Sequence, residues 1–277
     1  MQKKRNINTL LITVILVIFL VIYLLPLVLM ITNSFKTYSE VMLNALSTPK
    51  AIIFDNFKKV FQTMNYPKAF FNTFIISLIG VAGIVVFGSM AGYKLARAKG
   101  KLSKYTFLYC IMPMMIPFQS FMITLVQVSR GMHLTNSVLG VTVVYWGLGA
   151  PMAIFLYQGF AKGIPMELEE AAIIDGCNQF ELFTKIIFPL LKSVTAAVIV
   201  VNAMWLWNDF LLPLLVLGTE KKVQTLQLAA YSFMGQYKME WQNIMAAAIL
   251  IIIPALIIYL VFQKHIIKGM IAGAVKG

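Results

Sequence analysis

Half of the ten acidic residues in this 277-residue chain, Glu167, Glu169, Glu170, Asp175 and Glu181, fall within one short stretch. Pro165 followed by Glu167, Glu169 and Glu170 suits a helix start, where proline fits the first turn and carboxylates complement the helix dipole. Gly176 then supplies a helix C-terminus or a turn. Beyond it, Phe180, Phe183, Ile186 and Ile187 repeat at helical spacing, and Pro189 begins the next element. The pattern predicts a short helix, a glycine turn and a second, amphipathic helix. A second constellation is Asn202, Trp205 and Asp209, at helical offsets of three and four on one side of a helix.

Neither group is a catalytic set. The chain has no G-x-x-x-x-G-K-[ST] phosphate loop, and its one Gly-Lys step, Gly100-Lys101, lacks the rest. No H-E-x-x-H, paired carboxylates or Ser-His-Asp set is present, so no catalytic residue and no metal ligand is expected. Cys110 and Cys177 lack CxxC partners and read as packing residues, and His133 and His265 are isolated.

The elements that must position these residues are apolar helices. Hydrophobic residues make up 60% of the chain and charged residues 12%, with a mean hydropathy of +0.83, whereas soluble domains carry about 25% charged residues. A membrane span needs about 20 apolar residues. Charge-free windows place six, at about Thr9 to Ile31, Ala69 to Tyr93, Tyr105 to Ser129, Ser137 to Phe160, Val194 to Leu217 and Asn243 to Phe262. Windows of this length exclude barrel strands, so the expected fold is an all-α membrane protein of six transmembrane helices. The first span is longer than a signal-peptide core and reads as a retained anchor. Pro26, Pro113, Pro117, Pro151, Pro213 and Pro254 fall within or at the ends of the windows, where they can kink a helix. Gly88 and Gly92 form a G-x-x-x-G spacing that predicts close helix packing.

Orientation follows from the loops. With the N-terminus inside, the inner segments hold 14 Lys and Arg residues against 9 outside, and Lys94, Arg97, Lys99, Lys101 and Lys104 form the densest inner cluster. Both ends are therefore expected in the cytoplasm. The net charge of +13 sits in short runs between apolar segments, which argues against nucleic-acid binding. No internal repeat or linker appears, so residues 1–277 read as one membrane domain, with the acidic stretch in an inner loop at about 161–193.

The run Glu170-Ala171-Ala172, then Gly176, Ile186 and Phe188-Pro189, resembles the EAA loop of ABC-importer permeases. That pattern is E-A-A, three residues, G, nine residues, I, one residue, L-P. Here Phe188 stands where the pattern has Leu, and Ser193 where many sugar permeases carry a second proline. Asn33-Ser34-Phe35-Lys36, Phe71-Asn72-Thr73, Trp207-Asn208-Asp209-Phe210 and the tail from Lys268 to Gly277 resemble the binding-protein-dependent carbohydrate branch, of the smaller maltose-transporter permease type.

The resemblance implies a type I importer permease in a bacterial cytoplasmic membrane, with the EAA loop between helices four and five. Glu170, Ala171, Ala172, Asp175, Gly176 and Pro189 would then form the coupling loop. It would seat in a cleft of a separate ATP-binding cassette ATPase, which would hold the ATP and Mg; no cofactor is expected on this chain. An extracytoplasmic sugar-binding protein and a second, larger permease are the other implied partners, the latter making a heterodimer. Asn202, Trp205 and Asp209 would line a sugar path, or else Trp205 lies at the membrane interface with Asp209 satisfied by a neighbouring helix. Three alternatives remain: an ABC importer for a non-sugar solute, an ion-coupled carrier, or an intramembrane enzyme. A carrier would show several intramembrane charges and a repeat, and an intramembrane enzyme a nucleophile or metal set.

Overall fold

The computed structural model describes residues 2–218, 223–235 and 239–274, with side chains placed for residues 9–218, 223–235, 239–257 and 260. Helices dominate, and the described residues contain no strand beyond an isolated bridge between Met234 and Met239. The chain forms two compact units, Met1–Tyr66 with Ala229–Pro254 and Pro67–Leu228 with Ala255–Gly277.

In the first unit, α1 (Gln2–Ser34) carries an apolar window of hydropathy 3.3, none of which is buried within the chain. Such a surface belongs in lipid or against another apolar helix. Its last turn enters a polar knot. Lys36 is fully buried, and its ammonium donates to Asn33 Oδ1 at 2.9 Å and to the carbonyls of Asn44 and Ala45 at 3.2 and 3.3 Å. Asn56 Nδ2 donates to the carbonyls of Ser34 and Lys36 at 2.7 and 2.8 Å. A buried cation must find acceptors of this kind, because losing its hydration uncompensated is costly. The short helices α2 (Tyr38–Leu43), opened by a Thr37/Glu40 capping box, and α3 (Asp55–Thr63) complete this end of the unit.

The second unit is built on α4 (Tyr66–Arg97) and α7 (Val138–Lys162). Ser137 caps α7 by accepting from the Gly140 N–H at 3.2 Å. The expected G-x-x-x-G contact is present: Gly88 faces Ala153 and Gly92 faces Tyr157, so closely that an added Cβ would lie 2.5 and 2.6 Å from their Cβ atoms. Ile76, Ile84, Tyr145, Tyr157, Ile187 and Leu212 form the centre of the core.

By length and composition three helices can cross a membrane, Thr9–Ser34, Tyr66–Arg97 and Val138–Lys162, or up to five if each of two bent pairs counts as a span. One bend and one helix break correct two expected windows. The third, 105–129, is α5 (Lys101–Ile111) with a 3₁₀ turn Met112–Met115, then α6 (Phe118–Gly131), and the two halves meet at 107°. Ile116 precedes Pro117 and is forced extended (φ −100°, ψ 122°), which ends one helix and re-aims the next. The fifth, 194–217, lies in α11 (Lys192–Asn208), stops at the extended Asp209, and resumes as α12 (Leu211–Leu217). The sixth, 243–262, lies inside α14 (Trp241–Ala274), and α13 (Leu226–Ala230) precedes it.

Candidate functional site

The acidic stretch folds as expected into helix, turn and helix. The first helix is α8 (Glu167–Ile174), starting two residues after Pro165. It ends in a Schellman motif: Gly176 takes φ +89°, its N–H donates to Ile173 O at 3.0 Å, and the Cys177 N–H donates to Ala172 O at 3.0 Å. Asp175 is the C-cap and is exposed. Asn178 and Glu181 form a capping box that opens the short α9 (Gln179–Glu181). The Lys185 ammonium at 2.8 Å and the Asn178 N–H hold the Glu181 carboxyl below its usual range. A π-helical run, Leu182–Ile187, leads into α10 (Phe188–Leu190). Pro189 cannot donate to the ladder, the chain turns at Leu191, and α11 leaves at 76°.

One face of α8 is held and the other is free. Glu169 and Ala172 are its buried residues, while Glu167, Glu170, Ala171, Ile173 and Ile174 face outward. The two alanines expected to act together therefore divide, Ala172 belonging to the core of this chain and Ala171 to its surface. Ile173, Ile174 and, on α9, Phe180 are 59%, 85% and 70% exposed. Apolar side chains clustered on a polar loop mark an interaction surface.

The acids divide too. Glu169 Oε1 accepts from Arg97 Nε at 2.6 Å and Oε2 accepts from the Tyr93 hydroxyl at 2.8 Å. Arg97 Nη2 also donates to Ile164 O at 2.8 Å. Sequence reasoning treated Glu169 as one of several first-turn acids and Arg97 as a loop cation. The one available signal was that Tyr93 and Arg97 stand a helical turn apart beside the loop.

The second constellation is only partly assembled. Asn202 is buried, with Nδ2 donating to Val198 O at 2.8 Å and Oδ1 against Gly149 of α7. Trp205 and Asp209 instead line a cavity of about 620 Å³ with Met114, Phe118, Phe121 and Pro151, beside the bend between α5 and α6. Trp205 meets the Tyr145 ring edge-on at 5.4 Å. The Tyr145 hydroxyl donates to Asp209 Oδ2 at 2.9 Å and the Leu211 N–H to Oδ1 at 3.0 Å. Tyr145 was not anticipated. Among the described residues no cation pairs with Asp209, and no cluster of His, Cys, Asp and Glu could hold a metal.

Known proteins resemble this chain in sequence and in fold. The chain is 39% identical over 99% of its length to a probable permease of the starch degradation products transport system of Thermoanaerobacterium thermosulfurigenes, covering 99% of it. It is 35% identical to a permease of the multiple sugar-binding transport system of Streptococcus mutans, with both chains fully covered. It is 33% identical over 92% of its length to an arabinooligosaccharide transport permease of Bacillus subtilis, covering 91% of it. The fold matches a chain in the crystal structure of a bacterial ABC transporter involved in import of the polysaccharide alginate, with TM-score 0.78, 21% identity and coverage of 94% and 96%. The model of the "binding-protein-dependent transport system inner membrane component" family matches residues 84–272, well over half the chain, and the protein belongs to that family of ABC-importer permeases.

Proposed function

We propose that this chain is the permease subunit of an ATP-driven carbohydrate importer, most simply for oligosaccharides, and supplies half of the path across a bacterial cytoplasmic membrane. In this reading residues 1–277 act as one domain of six spans, with both ends in the cytoplasm. The bent pair α5 and α6 counts as span three, α11 with α12 as span five, and α1 and α14 as one and six. The observation that carries it is the outward face of α8 and α9, where Glu170, Ile173, Ile174 and Phe180 stand exposed beside the Gly176 turn. That face docks a separate ATPase, which binds ATP and Mg. The other partners are a second permease, making a heterodimer, and an extracytoplasmic binding protein. The sugar assignment rests on the systems to which the relatives belong.

The test is ATP hydrolysis by the complete complex in proteoliposomes with its binding protein. Starch-derived, raffinose-type and arabinose-containing oligosaccharides are offered against amino acids and peptides. At least one oligosaccharide is expected to stimulate hydrolysis and enter the vesicles. Stimulation by a non-sugar solute alone would overturn the substrate class. Uptake driven by an ion gradient without the ATPase would overturn the mechanism.

Within this reading, Trp205 and Asp209 face the sugar path through the cavity beside α5 and α6, and Asn202 supports them from behind. Trp205→Ala is expected to lower uptake per assembled complex about three- to tenfold, the range an aromatic contact accounts for. Asp209→Asn keeps an oxygen for the Leu211 N–H and a polar group for the Tyr145 hydroxyl, so it is expected to retain most of its uptake. Normal uptake per complex in Trp205→Ala, with only assembly reduced, would leave these residues as structural.

A further inference from the structure

The short α8 is fastened to the rest of its unit by very little. Its two buried residues are Glu169 and Ala172, and Ala172 contributes a single methyl group. The Glu169 carboxylate is held at both oxygens by side chains one turn apart on the last turns of α4, Arg97 at 2.6 Å and Tyr93 at 2.8 Å. The same guanidinium grips Ile164 O at 2.8 Å, three residues before α8 begins, and lies 5.9 Å from the Tyr93 ring centre. The Tyr93 ring in turn lies 5.7 Å from Phe183, in the helical run beyond the Gly176 turn. Both ionic side chains are nearly sealed, 14% and 10% exposed. Of the five cations in the run from Lys94 to Lys104, Arg97 alone is turned inward, and Lys94, Lys99, Lys101 and Lys104 are exposed. A planar guanidinium bonded to both the lead-in and the first turn of a helix is a stiff connection, because its donors are fixed in one plane.

We propose that Arg97, Glu169 and Tyr93 form the joint that carries movement of α8 into the membrane helix α4. The proposal rests on α8 being the ATPase-facing helix. Two neighbouring acids then have opposite duties: Glu170 meets the partner, and Glu169 transmits what the partner does. These are positioning residues, acting through the helices they connect. Breaking the joint should leave the ATPase attached and hydrolysing while α4 no longer follows, so the signature is uncoupling and not disassembly.

The experiment measures uptake, ATP hydrolysis and retained ATPase on the same purified complex, using the oligosaccharide that stimulates it most. Glu169→Gln and Arg97→Gln are each expected to lower uptake per ATP hydrolysed about tenfold, within the range of ordinary coupling between sites. The double variant should be no worse than either single one, because both remove the same link. ATPase should co-purify in normal amount throughout. An unchanged ratio of uptake to hydrolysis, multiplying effects in the double variant, or loss of the ATPase would each overturn the joint. Tyr93→Phe keeps the ring against Phe183 and deletes one hydroxyl, and a loss of about threefold is expected from one hydrogen bond. If the glutamine variants fail to assemble, an unchanged ratio in Tyr93→Phe rejects the proposal. The Gly176→Val, Glu170→Lys double variant tests the underlying reading by itself: if it keeps its ATPase in full with normal uptake, docking on α8 is wrong whatever Glu169 does.

Discussion

Replacing Gly176 with valine is expected to release the ATPase from the purified complex, whereas replacing it with asparagine is expected to leave it attached. Nothing lies within 4 Å of the position a Cβ would take there, so crowding is not the reason. The reason is backbone conformation. At φ +89° an L side chain is strained, by about 1–3 kcal/mol, and a β-branched one fares worst. Asparagine tolerates positive φ and serves as a helix terminator in the same motif. With valine the Schellman bonds from Gly176 to Ile173 and from Cys177 to Ala172 must open. The last turn of an eight-residue helix then frays, and the exposed Ile173 and Ile174 lose their placement. Glu170→Lys should weaken the same attachment through charge alone, since its side chain is exposed and its removal disturbs no core. Pull-down of the ATPase on the tagged permease reads both variants. Full retention with normal uptake in the Gly176→Val, Glu170→Lys double variant would show that this loop does not dock the ATPase.

The prediction falls on a stretch whose local structure the sequence identified well, and the reason is local. Helix start, glycine stop and second helix are each written in adjacent residues, so Pro165, Gly176 and the Phe180 to Ile187 spacing sufficed. The apolar windows that became α1, α4 and α7 were legible for the same reason, because lipid demands an unbroken apolar surface whatever the tertiary contacts. The breaks inside the windows were not located. Pro113 and Pro117 announced a disturbance, but a 107° change of direction depends on where α6 finds its neighbours. Asn202, Trp205 and Asp209 were grouped by assuming one continuous helix. The helix stops at Asn208, so Asp209 leaves that face and reaches Tyr145, while Asn202 turns to Gly149. The Arg97–Glu169 pair was invisible, since its partners are 72 residues apart and nothing in either segment names the other.

The contact between α4 and α7 was legible as a spacing, and its tightness makes the second large effect. Gly92→Leu should abolish recovery of the folded permease, while Gly159→Leu on the facing helix should be recovered normally. At Gly92 an added Cβ would lie 2.6 Å from Tyr157 Cβ, 3.0 Å from Gln158 N and 3.1 Å from Ile154 O. Two of those three atoms belong to backbone, so no rotamer change relieves the clash and the helices must part. Tyr157 is fully buried and donates to Thr195 Oγ1 at 3.0 Å, so parting them also disturbs α11. Overpacking a tight core costs about 1–3 kcal/mol, and one or two kcal/mol already changes the folded fraction by about 5- to 30-fold. Gly159 offers the control, with nothing within 4 Å of its Cβ position. Size-exclusion profiles and melting temperatures in one detergent compare the two variants directly. Equal yield and equal melting temperature would mean that α4 and α7 do not approach as closely as the backbones of Gly92 and Ile154 require.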